Sequence, residues 1–559
     1  MRTGTLVRRS LVHYWRSNLA VIAGSAIAVS VLAGASMVGD SVRASLRDML
    51  LRRLGNTHAV IASTGFFSEK LAGSFDNSCP LISLEGLVTS GDRRASEVAV
   101  YGVDERFWKF HARAGEAAAE RTAMLSESVA SEIAAKPGDS ILVRVEKPSA
   151  IPAESLHGRK EDSARTLRLT FREGNAEFSF RPGQSAVRAV FVPLERLQRD
   201  LDQTGRVNTI LTTSGDTAQL AQILKARATL EDIGVRIRDL GPSLSLEAEG
   251  ALITGGLTQS TVTVAKDLQI NAAPVLTYLA NTIRAGDREI PYSLVTAIDL
   301  PEFQNAPANA ILLNEWAAQD LGAKPGAPVR LDYYVWKEEG RLASESADFQ
   351  VAGVLPIRGI AADRDLTPSY PGMTGAKTLH DWDPPFPVDL KRVRPRDEDY
   401  WKRYRTTPKA FIRLERGQQL WQSRFGKLTS IRLSPSNPQF AVRLRDALDP
   451  LQNGFLIQAT RTEGLKAAAG STDFGEYFLY FSFFLVVSAM LLIGLFFKLN
   501  IEQRLREIGI LRAVGFPPRR LMSVFLREGL ALAVAGGLIG VAGAIAYASF
   551  IVFGLRTWW

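Results

Sequence analysis

The sequence predicts a membrane protein with an α-helical transmembrane part of three helices and a large α+β extracytoplasmic domain of two similar lobes. Three observations carry this. Uncharged runs at Leu19 to Val38, Tyr477 to Phe497 and Gly529 to Phe553 are each long enough, at 1.5 Å per helical residue, to cross a hydrocarbon core of about 30 Å. Between Thr57 and Asp473 no other run reaches that length. Within that stretch a segment recurs: Leu125 to Gly138 matches Leu313 to Gly326 at an offset of 188, and Phe191 to Arg196 matches Phe411 to Arg416 at an offset of 220.

The amino-terminal run follows Arg2, Arg8, Arg9 and Arg16. Ala33-Gly-Ala35 offers a signal-peptide cleavage site, but the run exceeds the usual apolar region of about 7 to 15 residues. A stripe of Val42, Leu46, Met49, Leu50 and Leu54 also continues a helical pattern beyond it. The expectation is an uncleaved helix extended as a stalk and ended by Gly55-Asn56, giving a first domain of residues 1–55.

Residues 56–250 and 251–470 are read as the two lobes, with strands such as Ser96 to Val103, Ser140 to Val145 and Val187 to Val192 set between short helices. Each lobe is expected to hold a helix (Leu125 to Ala134; Leu313 to Leu321), a Lys-Pro-Gly turn and a strand. The second offset is larger by 32 residues, which places an insertion in 341–407, rich in Pro, Asp and Arg.

The last domain, residues 471–559, holds two apolar runs joined by the loop 498–528. Gly536, Gly537, Gly540 and Gly543 in the second run are the small residues that let membrane helices approach closely. In the loop, Ile501, Leu505, Ile508 and Leu511 form one stripe of an amphipathic helix. Pairs Glu502 with Arg506 and Arg504 with Glu507 are placed on its polar face, and Gly515 before Pro517-Pro518 stops it.

Seven basic residues against three acids put this loop in the cytoplasm by the positive-inside rule. Residues 1–39 hold four Arg and no acid, and residues 498–559 hold eight basic and three acidic residues. These two ends account for the whole net charge of +9, so basicity here reports topology and not nucleic-acid binding.

Glu507-Ile-Gly-Ile-Leu-Arg-Ala-Val-Gly515, with Arg519-Arg520-Leu521 and Arg527-Glu528, resembles the cytoplasmic coupling loop of FtsX-like ABC transporter permeases. One amino-terminal helix, a large outside domain and a carboxy-terminal helix pair are similar to the layout of MacB-like permeases. The resemblance implies a permease subunit of the bacterial inner membrane, with its amino terminus in the cytoplasm. It implies a partner ATPase that binds the ATP, membrane lipid around the helices, and a homodimer or pairing with a related permease. Ile501, Leu505, Glu507, Ile508, Leu511, Arg512 and Gly515 are the residues expected to form the ATPase-coupling loop. The family's fourth helix is missing here, so the expectation is a truncated chain or a helix supplied elsewhere. Trp558 and Trp559 would mark the outer interface.

No catalytic, metal or cofactor-binding residue is assigned. Gly426-Lys427-Leu428 lacks the earlier glycine and the hydroxyl of a phosphate loop. The five histidines (His13, His58, His111, His157, His380) show no metal spacing, and Cys79 stands alone. Asp363/Asp365, Asp381/Asp383 and Asp397/Asp399 lie beside Arg or Pro and are expected to form local ion pairs on a solvated insertion; Tyr400 to Tyr404 is expected to pack. The rival reading is a membrane-anchored sensor or binding scaffold without an ATPase, which leaves the basic loop unexplained.

Overall fold

Each of the three uncharged runs lies inside one long helix of the computed structural model, which describes residues 3–112, 120–147, 164–174, 176–181, 183, 185–337, 341–370, 372–384, 386–469 and 474–557. Trp558, Trp559 and His157 lie outside the described residues. The chain divides into two units: residues 1–55, 179–185 and 460–559 form the first, and 56–178 with 186–459 the second.

In the first unit a short helix, Thr3–His13, precedes the 40-residue stalk helix Trp15–Leu54. The sequence reading did not separate the short helix. The break falls at Tyr14 (φ −98°, ψ 30°), and the buried Asn18 amide closes it by donating to the Leu11 carbonyl at 3.0 Å. Gly55 ends the stalk helix at φ +54°, as its lack of a side chain allows.

The helix Phe474–Gln503, the elbow helix Leu505–Ala513 and the 40-residue terminal helix Pro518–Thr557 complete the carboxy-terminal part. Among the described residues, Trp15–Leu54 and Pro518–Gly554 are long and apolar enough to cross a membrane.

The stalk and terminal helices pack through small residues. A Cβ on Gly540 would lie 2.6 Å from Val29 Cβ and 2.9 Å from the Ala26 carbonyl, and one on Gly536 would lie 2.7 Å from Ser25 Cβ. Backbones this close can only meet across glycine. Ser30 donates to the Gly540 carbonyl at 3.0 Å across the same seam. Gly537 has open space beside it and takes no part.

Among the described residues the second unit holds eighteen strands: β1 (Ala59–Ser68), β2 (Ser78–Ser90), β3 (Arg93–Val103), β4 (Thr122–Leu125), β5 (Ser140–Glu146), β6 (Ala164–Phe171), β7 (Ala189–Pro193), β8 (Arg206–Thr212), β9 (Val235–Asp239), β10 (Leu244–Ala248), β11 (Asn271–Ala285), β12 (Arg288–Ala297), β13 (Ala310–Asn314), β14 (Pro328–Trp336), β15 (Leu342–Leu355), β16 (Ala410–Ile412), β17 (Ser430–Ser434) and β18 (Phe455–Gln458). They form two nine-stranded sheets, ordered β18-β1-β8-β2-β3-β7-β4-β6-β5 and β12-β16-β13-β15-β14-β11-β17-β10-β9.

In the first sheet β2 also pairs with β5, so six strands close into a ring, β2-β3-β7-β4-β6-β5. In the second β11 pairs with both β12 and β14, closing β11-β12-β16-β13-β15-β14. The two rings agree in order and in the direction of every pairing, with β3–β7 and β4–β6 parallel in one and β12–β16 and β13–β15 parallel in the other.

The recurring segment supplies matching parts of both rings. Strands β4 and β13 lead into helices Glu127–Glu132 and Glu315–Leu321, then into Lys136-Pro-Gly138 and Lys324-Pro-Gly326. Gly138 and Gly326 take φ of +98° and +90°, and their amides bond to the carbonyls of Phe171 and Val351 at 2.8 and 2.7 Å. The following strands alternate as half-buried strands must: Ile141, Val143 and Val145 point inward in β5, and Val329, Leu331 and Tyr333 in β14. Leu125 and Leu313 belong to the strands, so both helices begin two residues later than expected.

Two further expectations need correction. The chain does not change sheet at residue 250: β9 and β10 pair into the second sheet through β17, and β18 returns to β1 of the first, because their exposed edges are completed from those neighbours. The insertion is not a solvated excursion either. Tyr370, Met373, Leu379, Trp382, Phe386 and Trp401 bury themselves against Leu279, Tyr292 and Leu294 of the second ring, since so much apolar surface is stable only out of water.

Candidate functional site

The elbow begins where the helix Phe474–Gln503 breaks at Arg504 (φ −104°, ψ 8°), and it ends in a closed cap. Gly515 at φ +92° sends its amide to the Arg512 carbonyl at 3.0 Å, and the Phe516 amide reaches the Leu511 carbonyl at 3.0 Å. This pair of bonds is a Schellman motif with Gly515 at the left-handed position, the stop that the sequence predicts. Pro518 then opens the terminal helix, where a missing N–H costs nothing.

Arg504 is the hub. Its side chain is 1% exposed, and its Nη1 donates to both carboxylate oxygens of Glu528 at 2.9 and 3.0 Å and to Ser10 Oγ at 2.7 Å. Ser10 donates in turn to Glu528 at 2.9 Å. The guanidinium carbon lies 3.7 Å from the centre of the Tyr14 ring, and the Tyr14 hydroxyl donates to Glu507 at 3.1 Å. Arg504 Nε and Nη2 are buried with no hydrogen-bond partner among the described residues, and the Tyr14 ring face offsets their lost hydration. A buried charge is stable only when paired, so this joint ties the short amino-terminal helix and its Tyr14 break to the elbow and to the first turns of the terminal helix.

The expected pairs of Glu502 with Arg506 and Arg504 with Glu507 therefore do not form. Arg504 turns inward to Glu528, and Glu502 lies 3.8 Å from Lys498 instead. Ile501, Ile508 and Leu511 are half-buried, whereas Leu505 is 62% exposed and Arg512 and Gly515 are exposed. The stripe is split inside the elbow helix itself, where Leu505 is exposed while Ile508 and Leu511, one and two turns on, are half-buried. Ile510 and Val514, which the sequence reading passed over, are 59% and 73% exposed. Ser10, Tyr14 and the inward role of Glu528 were also missed. The usable signal was Glu528 itself, an acid at the edge of a 25-residue uncharged run, where an ionised group needs a partner.

In the second unit, Asp363 and Asp365 pair with the distant Arg432 and Arg238 at 3.0 and 2.6 Å, not with their neighbour Arg364. Asp381 accepts from the Thr378 amide and hydroxyl, and Asp397 pairs with Arg394 at 2.8 Å. Tyr400 and Trp401 are buried.

Residues 479–558 match the family model for the FtsX-like permease C-terminal region, so this part of the chain is similar to that of FtsX-like permeases. Among solved structures, the periplasmic region of MacB from Actinobacillus actinomycetemcomitans is similar to this chain at 14% identity, covering 32% of this chain and 86% of that one with a TM-score of 0.20. No curated protein matches the chain.

Proposed function

We propose that this chain is the membrane subunit of an ABC transporter whose elbow docks on a cytoplasmic ATPase, and whose long helices carry the resulting motion to a domain outside the cytoplasm. The substrates are taken to be lipoproteins, peptides or amphiphiles, exported or released at a bacterial inner membrane. The working assembly is a pair of permeases, a homodimer or this chain with a relative. What supports the docking is the match of the elbow region to permeases together with the exposure of Leu505, Ile510 and Val514 on a helix whose other side is anchored through Arg504. Apolar side chains presented on one helix are what a groove on a partner protein takes up.

The test is pull-down of a cytoplasmic ABC-type ATPase with this chain as bait. Leu505→Asp and Ile510→Asp, both at exposed positions, should insert normally yet weaken capture by about 2 to 4 kcal/mol, the scale of an interface hot spot. Full capture and full ATP turnover in both variants would sink the docking and favour the sensor reading.

A further inference from the structure

The second unit carries a surface cleft of about 300 Å³, within the range of small-molecule sites, that the permease reading does not use. It lies between the start of the helix Gly255–Asp267 and the turn 423–428. Arg424, Lys427, Thr254, Thr258, Ser423 and Phe425 face it, and the amides of Gln259 and Gln418 complete its polar wall. The residues that line it include two cations and no carboxylate, and the first turn of the adjoining helix adds no acid.

The wall is built, not loose. Ile253 donates to the Leu428 carbonyl at 2.8 Å, Ser423 and Gly426 exchange backbone bonds at 3.1 and 3.2 Å, and the Phe425 amide donates to Ser423 Oγ at 3.2 Å. A Cβ on Gly426 would lie 2.5 Å from the Ile253 carbonyl, so the turn is pressed against the strand-like segment that carries Thr254. Gly426-Lys427, which fails as a phosphate loop by sequence, is thus placed beside hydroxyls contributed from residues far away in the chain.

We propose that this cleft binds a small phosphate-bearing ligand. An arginine fork and a lysine point charge, with the Ser423 and Thr254 hydroxyls and the Gln259 and Gln418 amides around them and no carboxylate in the lining to neutralise them, suit a phosphate, which carries more charge and one more acceptor oxygen than a carboxylate. Phe425, Ile253 and Leu428 offer an apolar flank to whatever the phosphate is attached to. Such a group has two sources, a soluble phosphate ester or a phospholipid headgroup. The proposal does not depend on the elbow docking an ATPase.

The experiment is calorimetric titration of the full chain in a non-ionic detergent with glycerol 3-phosphate and, separately, with dihexanoyl phosphatidic acid. Each is repeated on the R424Q/K427Q variant, with circular dichroism to confirm its fold. Saturable binding that weakens about tenfold or more in the double variant, the effect of losing two partly exposed charge-assisted bonds, supports the site. Binding of glycerol 3-phosphate identifies a soluble ester, and binding of the short-chain lipid alone identifies a headgroup. If the double variant fails to fold, K427Q alone is read in the same way. Absence of saturable binding by either probe, or binding unchanged in the folded variant, overturns the proposal.

Discussion

Arg504 and Lys409 are both cations withdrawn from water, and they are compensated differently. Arg504 has a full carboxylate, a hydroxyl and an aromatic face. Lys409 is buried with its Nζ 4.9 Å from the ring centres of Trp316 and Tyr400 and 3.9 Å from the Asp397 carboxylate, which Arg394 already engages. Burial therefore pushes the Lys409 ammonium down from its usual 10.5 to about 8, only partly opposed by Asp397. Below pH 8 folded and unfolded chains both hold this proton, and stability sits at its lower level. Between pH 8 and 10.5 the unfolded chain still binds the proton that the folded one has released, so stability rises with pH. The gain should reach up to about 3 kcal/mol, and should vanish in Lys409→Met. Chemical denaturation of both proteins at pH 7 and pH 10 measures it; an equal pH response in the two would refute the assignment. For Arg504 the expectation is a loss on breaking the pair: Glu528→Ala should destabilise the first unit by about 3 to 5 kcal/mol. Arg504→Met combined with Glu528→Leu should recover much of that, since removing both charges removes the uncompensated one. Thermal unfolding in detergent compares the three.

At the scale of elements, the seam between the stalk and terminal helices depends on positions and not on glycine content. Gly540→Leu must drive a side chain into Val29 and the Ala26 carbonyl, whereas Gly537→Leu meets open space. The first should cost about 1 to 3 kcal/mol, as overpacking does, and the second nothing measurable beyond the small gain in helix propensity. Equal melting temperatures for the two variants would show that the seam is not formed as described. The elbow follows the same logic: its stop is local, set by Gly515 and the prolines, but its orientation is set by Arg504, whose partners lie on other helices.

For the whole molecule, the orientation we propose from the charge distribution has residues 1–18 and 498–528 on the cytoplasmic side and residues 40–476 outside. Cys79 is fully buried, and burial pushes its thiol up, so the native chain gives no background to thiol reagents. Cysteine placed at the exposed Asp92 should be labelled by an impermeant maleimide in intact cells, and cysteine at the exposed Gln503 only after permeabilisation. Labelling of position 503 in intact cells would reverse the topology.

The sequence by itself determined the features written in short stretches of chain. The long helices follow from uncharged runs, the elbow's end from Gly515 and the Pro517-Pro518 pair, and the two Lys-Pro-Gly turns from a glycine that takes the left-handed conformation without strain. The tertiary structure decided what depends on residues far apart. Closure of each ring rests on β2 meeting β5 and β11 meeting β14, the exchange of β9, β10 and β18 rests on which edges were left unpaired, and the inward turn of Arg504 rests on Ser10, Tyr14 and Glu528 arriving together. Periodicity along a chain reports which face of an element is apolar; it carries no information about the partner on which a buried charge or an open strand edge will be satisfied.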